Sequence, residues 1–325
     1  MSVNTKTWQQ ELAEGFGNTA DLCHFLELSA DVNTISSSFP LRVPYEFASR
    51  MQKGNANDPL LKQVLPVADE ENKSPGFVED PVGDVDAMAE TGVIHKYQNR
   101  VLFIMTGSCA INCRYCFRRN FSYSDFQLST QKIDKALAYI ANDTTISEVI
   151  LSGGDPLLLS DEKLAALFKQ LDKIKHLKRI RIHSRLPIVL PSRVTPKLCN
   201  VFNSTSKAVI VVVHSNHQNE LNSRVEQACQ QLKNHDVTLL NQAVLLKGIN
   251  DDAEQLAGLS EKLFTLGIMP YYLHLLDKAR GTAHFEVDQQ YACVLMNEIK
   301  QILPGYLVPK LVREQAGAAN KILIA

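Results

Sequence analysis

From Arg100 to Leu276 the chain alternates short apolar runs, rich in β-branched residues, with amphipathic stretches. The runs Val101–Met105, Glu148–Leu151, Arg179–His183, Ala208–Val213, Val237–Leu240 and Tyr271–Leu276 predict strands. Between them, apolar residues at three- and four-residue spacing predict helices over Lys132–Ala141, Asp161–Lys173, Thr195–Phe202, Asn219–Asn234 and Ala253–Leu266. Apolar strands alternating with helices imply a parallel α/β sheet covered by helices. Six such units form either a doubly wound sheet or a barrel-type sheet. Residues 1–92 have a different texture. Trp8 to Leu28 and Val43 to Val67 carry helical spacing interrupted by Pro40, Pro44 and Pro59, and Asp69 to Thr91 is an acidic, Pro- and Gly-punctuated loop. This part reads as a helical cover on the core with a wrapping loop, without a catalytic constellation.

The strand ends show what the sheet is for, because parallel α/β folds bind ligands at the carboxyl ends of their strands. In sequence order those ends deliver a cysteine loop, Ser152-Gly153-Gly154-Asp155-Pro156, His183-Ser184-Arg185, His214 to His217, Asn241-Gln242, and His274 with Asp277. Six polar endings in a row predict one active site at one rim. His183, His217 and His274 acquire no role from sequence reasoning.

Composition narrows the class. The 325 residues carry a formal net charge of -1 and a pI near 6.8, which argues against a nucleic-acid binder. The start is polar, and no apolar run approaches the roughly 18 residues needed to span a bilayer. Of seven cysteines, three are clustered, while Cys23, Cys199, Cys229 and Cys293 are scattered and read as packed thiols. That distribution fits a reducing, cytoplasmic setting with a metal site rather than a disulfide framework.

The cluster is Cys109-Ala-Ile-Asn-Cys113-Arg-Tyr-Cys116. Three thiolates on a four-iron cluster leave one iron open, which suits catalysis more than electron transfer. After the second strand, Gly153-Gly154-Asp155 offers backbone that a ligand can approach closely.

This cysteine spacing, together with Gly153-Gly154-Asp155-Pro156, resembles the radical S-adenosylmethionine (SAM) superfamily. His95-Lys-Tyr-Gln-Asn-Arg100, Cys113-Arg-Tyr-Cys-Phe-Arg-Arg119, His214-Ser-Asn-His217, Asn241 to Asn250 and Tyr271 to Asp277 further resemble the lysine 2,3-aminomutases. The similarity runs from about Pro40 to the C-terminus and is strongest to the bacterial subgroup that makes β-lysine for elongation factor P. The resemblance implies a partial (β/α)6 TIM-like barrel over 93–285, after an N-terminal helical region and wrapping loop (1–92) and before a C-terminal helix and cofactor-lysine segment (286–325). It implies a [4Fe–4S] cluster on Cys109, Cys113 and Cys116, and S-adenosyl-L-methionine beside Gly153, Gly154, Asp155, His214 and Gln242. Pyridoxal 5′-phosphate would be carried by Lys321 and contacted by Lys96, Tyr97 and Arg100. Arg118 would hold the substrate carboxylate, with Asp277 and Glu314 at the distal ammonium; Glu314 stands where the family has a second aspartate. The run before Lys321 is Ala316-Gly-Ala-Ala-Asn320, less glycine-rich than the family's. A zinc ligand of some family members falls on Asp252, so no zinc is expected. The implied reaction is isomerisation of L-α-lysine to β-lysine, with a reductant protein for the cluster, no nucleic-acid or membrane partner, and a homo-oligomer as a further expectation. Two alternatives are a related enzyme acting on glutamate or arginine, and a metal-binding protein without turnover.

Overall fold

All six apolar runs fold as strands, and four more join them in one ten-stranded sheet whose spatial order follows chain order. In the computed structural model, which describes residues 6–29, 34–35, 37–126, 128 and 130–325, the strands are β1 (Met88–Glu90), β2 (Val93–Tyr97), β3 (Arg100–Thr106), β4 (Glu148–Gly153), β5 (Arg179–Ser184), β6 (Ala208–Val213), β7 (Thr238–Val244), β8 (Met269–His274), β9 (Lys310–Arg313) and β10 (Ile322–Leu323). Strands β3 to β9 are parallel neighbours. At one edge β1 and β2 pair antiparallel to β3, and at the other β10 turns back antiparallel on β9. The sheet does not close, so the architecture is a partial TIM-like barrel rather than a complete one.

Helices Thr130–Asn142, Asp161–Asp172, Pro196–Asn203, Ser223–Lys233, Ala253–Thr265 and Gln289–Ile302 make the crossovers. The last of these links β8 to β9, so segment 286–325 adds a parallel strand to the sheet beyond the six expected units. Asp252 caps the helix Ala253–Thr265 by accepting from the Gln255 N–H, the ordinary work of an N-cap carboxylate.

Successive strand residues point to opposite faces, and this alternation separates chemistry from packing. On β5, Ile180 and Ile182 are buried under the helices while Arg181 and His183 line the interior. On β4, Glu148, Ile150 and Ser152 line the interior while Val149 and Leu151 pack outward.

The N-terminal region is less helical than its apolar spacing suggests. Trp8–Ala13 and Thr19–Phe25 are separate helices, as are the four-residue pieces Tyr45–Ala48 and Pro59–Lys62. The first break has a steric cause: Gly15 lies against the chain at Val43, where a Cβ would come within 2.7 Å of the Val43 carbonyl oxygen. Phe16 and Val43 bridge at this crossing. No helix among the described residues is long and apolar enough to cross a membrane.

Candidate active site

Every residue singled out from the sequence as a candidate ligand faces one interior cavity of about 450 Å³. It runs from the cysteine loop at the carboxyl ends of the strands down to Arg100, Glu148 and Tyr271.

The N-terminal region supplies the outer mould of the cysteine loop. The Asn112 N–H donates to the Arg42 carbonyl at 2.9 Å, and the Arg114 N–H donates to the Gln63 carbonyl at 2.8 Å. The fully buried Arg114 side chain reaches Glu70 and the Phe39 carbonyl, and Arg119 shares Glu70 at 2.5 Å. From the other side, the Gly154 N–H donates to the Thr106 carbonyl at 2.7 Å and the Asp155 N–H to the Ser108 carbonyl at 2.8 Å. Gly153 has a φ of +106°, and a Cβ on Gly154 would overlap the Ser108 carbonyl. The paired glycines therefore let the turn after β4 lie directly on the loop that carries Cys109. Gly154→Ala forces those two segments apart, a strain of about 1–3 kcal/mol by analogy with overpacked cores. The variant is expected to take up less iron on anaerobic reconstitution and to melt earlier; wild-type iron content and stability would contradict this packing argument.

Asp155 has a narrower place than a ligand contact. Its two oxygens accept from the Ser184 hydroxyl and from the N–H groups of Leu157, Arg185 and Leu186. Its carboxylate ties the end of β4 to the end of β5, so Asp155 lines the cavity beside Gly153 and Gly154 with its oxygens already engaged.

Burial, followed by the proximity of Cys116, Asp155 and Cys113, pushes the Cys109 thiol well above its ordinary value. Burial and Cys113 push Cys116 up to about 11. Half-buried thiols, two of them raised in this way, suit a multiply charged metal centre, which keeps its sulfur ligands deprotonated. Each cysteine of a four-iron cluster takes its own iron, so the sulfurs need not converge on one point. Among the described residues no three His, Cys, Asp or Glu side chains do.

Deeper in the cavity lies a chain of charges. Asp84, from the wrapping loop, bridges Arg118 Nε and Lys96 Nζ, both at 2.7 Å. Burial opposes its ionisation, yet the two cations hold the Asp84 carboxyl below its usual range. Lys96 also donates to the Val82 carbonyl at 2.6 Å. Glu314 pairs with Lys321, accepts from the Tyr97 hydroxyl at 2.7 Å and lies 3.7 Å from Lys96. Lys321, just before β10, thus reaches the cavity although it lies close to the chain end. Arg100 stacks on the Tyr97 ring at 4.3 Å. Asp277 differs from all of these: among the described residues its carboxylate makes no ion pair, and burial raises its pKa to about 7 despite Lys321 nearby.

Two groups of lining residues were not given roles by the sequence. Asp84 sits among Asp80 and Asp86 in an acidic loop, where nothing local distinguishes it. His183 and His274 were visible as strand-end residues; here each has a buried Nε2 without a hydrogen-bond partner, as does the Nε of Arg181. Burial, then neighbouring cations, keeps His183 neutral, and burial with Arg185 nearby brings His214 down to about 3. His214 Nε2 lies 2.8 Å from the Gln242 amide. Orphaned donors and acceptors on a cavity wall fit a polar occupant, and the Lys96, Arg100 and Arg181 cations fit one bearing phosphate. His217, by contrast, accepts from the Asn219 N–H away from the cavity. The scattered cysteines are buried (Cys199, Cys229) or half-buried (Cys23, Cys293), and all are free thiols.

Comparison with known proteins agrees with this arrangement. Residues 103–259 match the radical SAM superfamily. Over 99% of its length the chain is 45% identical to the L-lysine 2,3-aminomutase of Escherichia coli (strain K12), covering 96% of that protein. The corresponding enzyme of Haemophilus influenzae is 48% identical over 88% of this chain and 85% of its own length. That of Buchnera aphidicola subsp. Baizongia pistaciae is 43% identical over 98% and 95%. With such identity along nearly the whole chain, and the three-cysteine loop seated at the rim of a parallel barrel, this protein belongs to the L-lysine 2,3-aminomutase family of the radical SAM superfamily.

Proposed function

We infer that this chain is an isomerase that converts L-α-lysine to β-lysine, using a [4Fe–4S] cluster, S-adenosyl-L-methionine and pyridoxal 5′-phosphate. The observation that carries the reading is the gathering of three clustered thiols, a lysine and a complementary pair of substrate-binding charges, Arg118 and Asp277, around one cavity. When bound, the cluster and S-adenosyl-L-methionine supply a carbon-centred radical, and pyridoxal phosphate carries the migrating amino group.

The chain's own residues bind and orient. Cys109, Cys113 and Cys116 hold the cluster, while the Gly153–Gly154 backbone, Asp155, His214 and Gln242 form the wall for S-adenosyl-L-methionine. Lys321 anchors pyridoxal phosphate, with Lys96, Tyr97 and Arg100 around it. Asp84 occupies Arg118 Nε and Ser152 Oγ lies 3.4 Å from one terminal nitrogen, which leaves the other terminal nitrogen, and the second N–H of the first, for the substrate carboxylate. At the far end, Asp277 has no ion-pair partner among the described residues, and the substrate's ε-ammonium supplies one. Glu314, satisfied by Tyr97 and Lys321 in this state, becomes available to that ammonium once Lys321 is committed to its cofactor. A glutamate substrate would instead set its carboxylate against Asp277, which the geometry disfavours.

Use of the product in modifying elongation factor P, a reductant protein, a homo-oligomeric assembly and a cytoplasmic location belong to the same proposal, on the strength of the sequence resemblance and of thiols that must stay reduced. The direct test is anaerobic incubation of reconstituted protein with dithionite, S-adenosyl-L-methionine, pyridoxal phosphate and isotopically labelled lysine. β-Lysine is the expected product, with none from arginine or glutamate. A colourless protein without absorbance near ~400 nm, or a cluster-bearing one that leaves lysine unchanged, would sink the reading.

A further inference from the structure

Arg185 has no part in the roles above, yet several elements converge to hold it. It leaves the end of β5 almost fully buried, and its Nη1 donates to Cys113 Sγ at 2.8 Å. Its Nη2 donates to Gln63 Oε1 at 2.6 Å and to Glu220 Oε2 at 3.0 Å. The guanidinium lies between the rings of Phe47 and Tyr115, 5.3 and 5.6 Å from their centroids. Glu220 has no solvent exposure, and its other oxygen accepts from the N–H groups of Asn216 and His217 and from Gln63 Nε2. Gln63 Oε1 also accepts from Asn216 Nδ2 at 3.0 Å.

Burying an ion pair is costly and seldom improves stability over an apolar replacement. A pair retained for packing alone would also have no reason to aim one nitrogen at a cysteine sulfur. Here Glu220 balances the charge, Gln63 and the two rings fix the plane of the guanidinium, and the remaining terminal nitrogen meets Cys113. Hydrogen bonds to the ligating sulfurs are among the factors that set an iron–sulfur reduction potential. A donor of this kind favours the reduced cluster, which carries one more negative charge than the oxidised one.

We propose that Arg185 is a positioning residue for redox tuning: its hydrogen bond to the Cys113 sulfur raises the reduction potential of the cluster, and Glu220, Gln63, Phe47 and Tyr115 hold it in register. The step it governs is the uptake of one electron by the oxidised cluster from a one-electron donor protein, with no bond made or broken in the protein. The N-terminal region, through Phe47 and Gln63, thereby takes part in setting the chemistry of the site it covers. This inference rests on the cluster assignment above.

The test is an anaerobic redox titration of reconstituted protein, with the reduced cluster followed by electron paramagnetic resonance and iron counted per chain. Arg185→Gln, too short to keep the contact, is expected to bind a full complement of iron with its midpoint shifted to more negative potential. Because that change strands the Glu220 carboxylate, the double variant Arg185→Gln/Glu220→Gln is titrated beside it. It removes both charges together and is expected to shift in the same direction by less. A merely structural role would lower the melting temperature or the iron content without moving the midpoint. A wild-type midpoint in either variant at full iron occupancy would overturn the proposal alone. Absence of a cluster from the wild-type protein would overturn the site assignment and this proposal with it.

Discussion

Lys321→Ala is expected to abolish conversion of lysine, by about 10³-fold or more on the scale of losses that follow removal of a covalent catalytic group, while leaving iron and sulfide content unchanged. Among the described residues that line the cavity, Lys96 is the other lysine. It is already committed to Asp84 at 2.7 Å and to the Val82 carbonyl at 2.6 Å. Lys321 meets one carboxylate, Glu314, and is half-buried, so its amine can exchange that ion pair for a carbonyl partner at modest cost. The variant should therefore lose the pyridoxal absorbance on desalting. Borohydride reduction followed by peptide mapping should place the cofactor on Lys321 in the wild-type protein. In Lys96→Ala the label should stay on Lys321 with weaker cofactor affinity, because an ion-paired neighbour has been lost rather than the attachment point. Cofactor that survives desalting in Lys321→Ala, or a label at Lys96, would show that the wrong lysine has been assigned.

What the sequence made legible follows from how local each signal was. Strands β3, β4, β6 and β8 carry apolar runs, and β5 and β7 bury every second residue under the helices, so each was found within a few residues of its ends. Strands β1, β2, β9 and β10 were missed for the opposite reason. They are two to five residues long, lie at the sheet's two ends, and in β1 and β10 are largely exposed, so no periodicity builds up. The N-terminal spacing was read as more helical than it is, because Gly15 breaks the first segment where it crosses Val43, a tertiary reason that a local pattern does not carry. The cysteine loop was legible because its three ligands lie within eight residues of sequence. The Asp84–Arg118 and Gln63–Arg185–Glu220 contacts join residues 34, 122 and 35 positions apart. Nothing in a single chain links such partners before the fold brings them together. Lys321 and Glu314 are an intermediate case, since the family resemblance pointed to them while no pattern in their own neighbourhood did.

Asp277→Asn is expected to reduce kcat/KM for lysine by roughly 30-fold to several thousand-fold, the equivalent of about 2–5 kcal/mol for removing one partner of a buried charge pair. Lys96, Arg118 and Lys321 are each paired with a carboxylate, whereas Asp277 has no ion-pair partner among the described residues. Burial then outweighs the pull of Lys321 and Lys96, helped by the like charges of Glu314 and Asp84, and its pKa rises to about 7. Because the value is raised, the protonated, neutral form is favoured in the free site. A bound ε-ammonium favours the ionised form, so lysine binding below about pH 7 must release a proton. The sign follows: kcat/KM for lysine should rise with pH through about 7, falling about tenfold per unit on the acid side, and level off above. Engagement of Lys321 by its cofactor removes a cation that now lowers the value, which moves this limb upward rather than downward. In Asp277→Asn the limb should vanish along with most of the activity, since the amide cannot ionise. The amide also keeps the shape of the pocket, so the cluster and pyridoxal signals should match wild type. Measured pH profiles of the two proteins decide the matter. An Asn variant that keeps both the wild-type kcat/KM and the acid limb would remove Asp277 from the substrate site and leave Glu314 as the sole candidate for the ammonium.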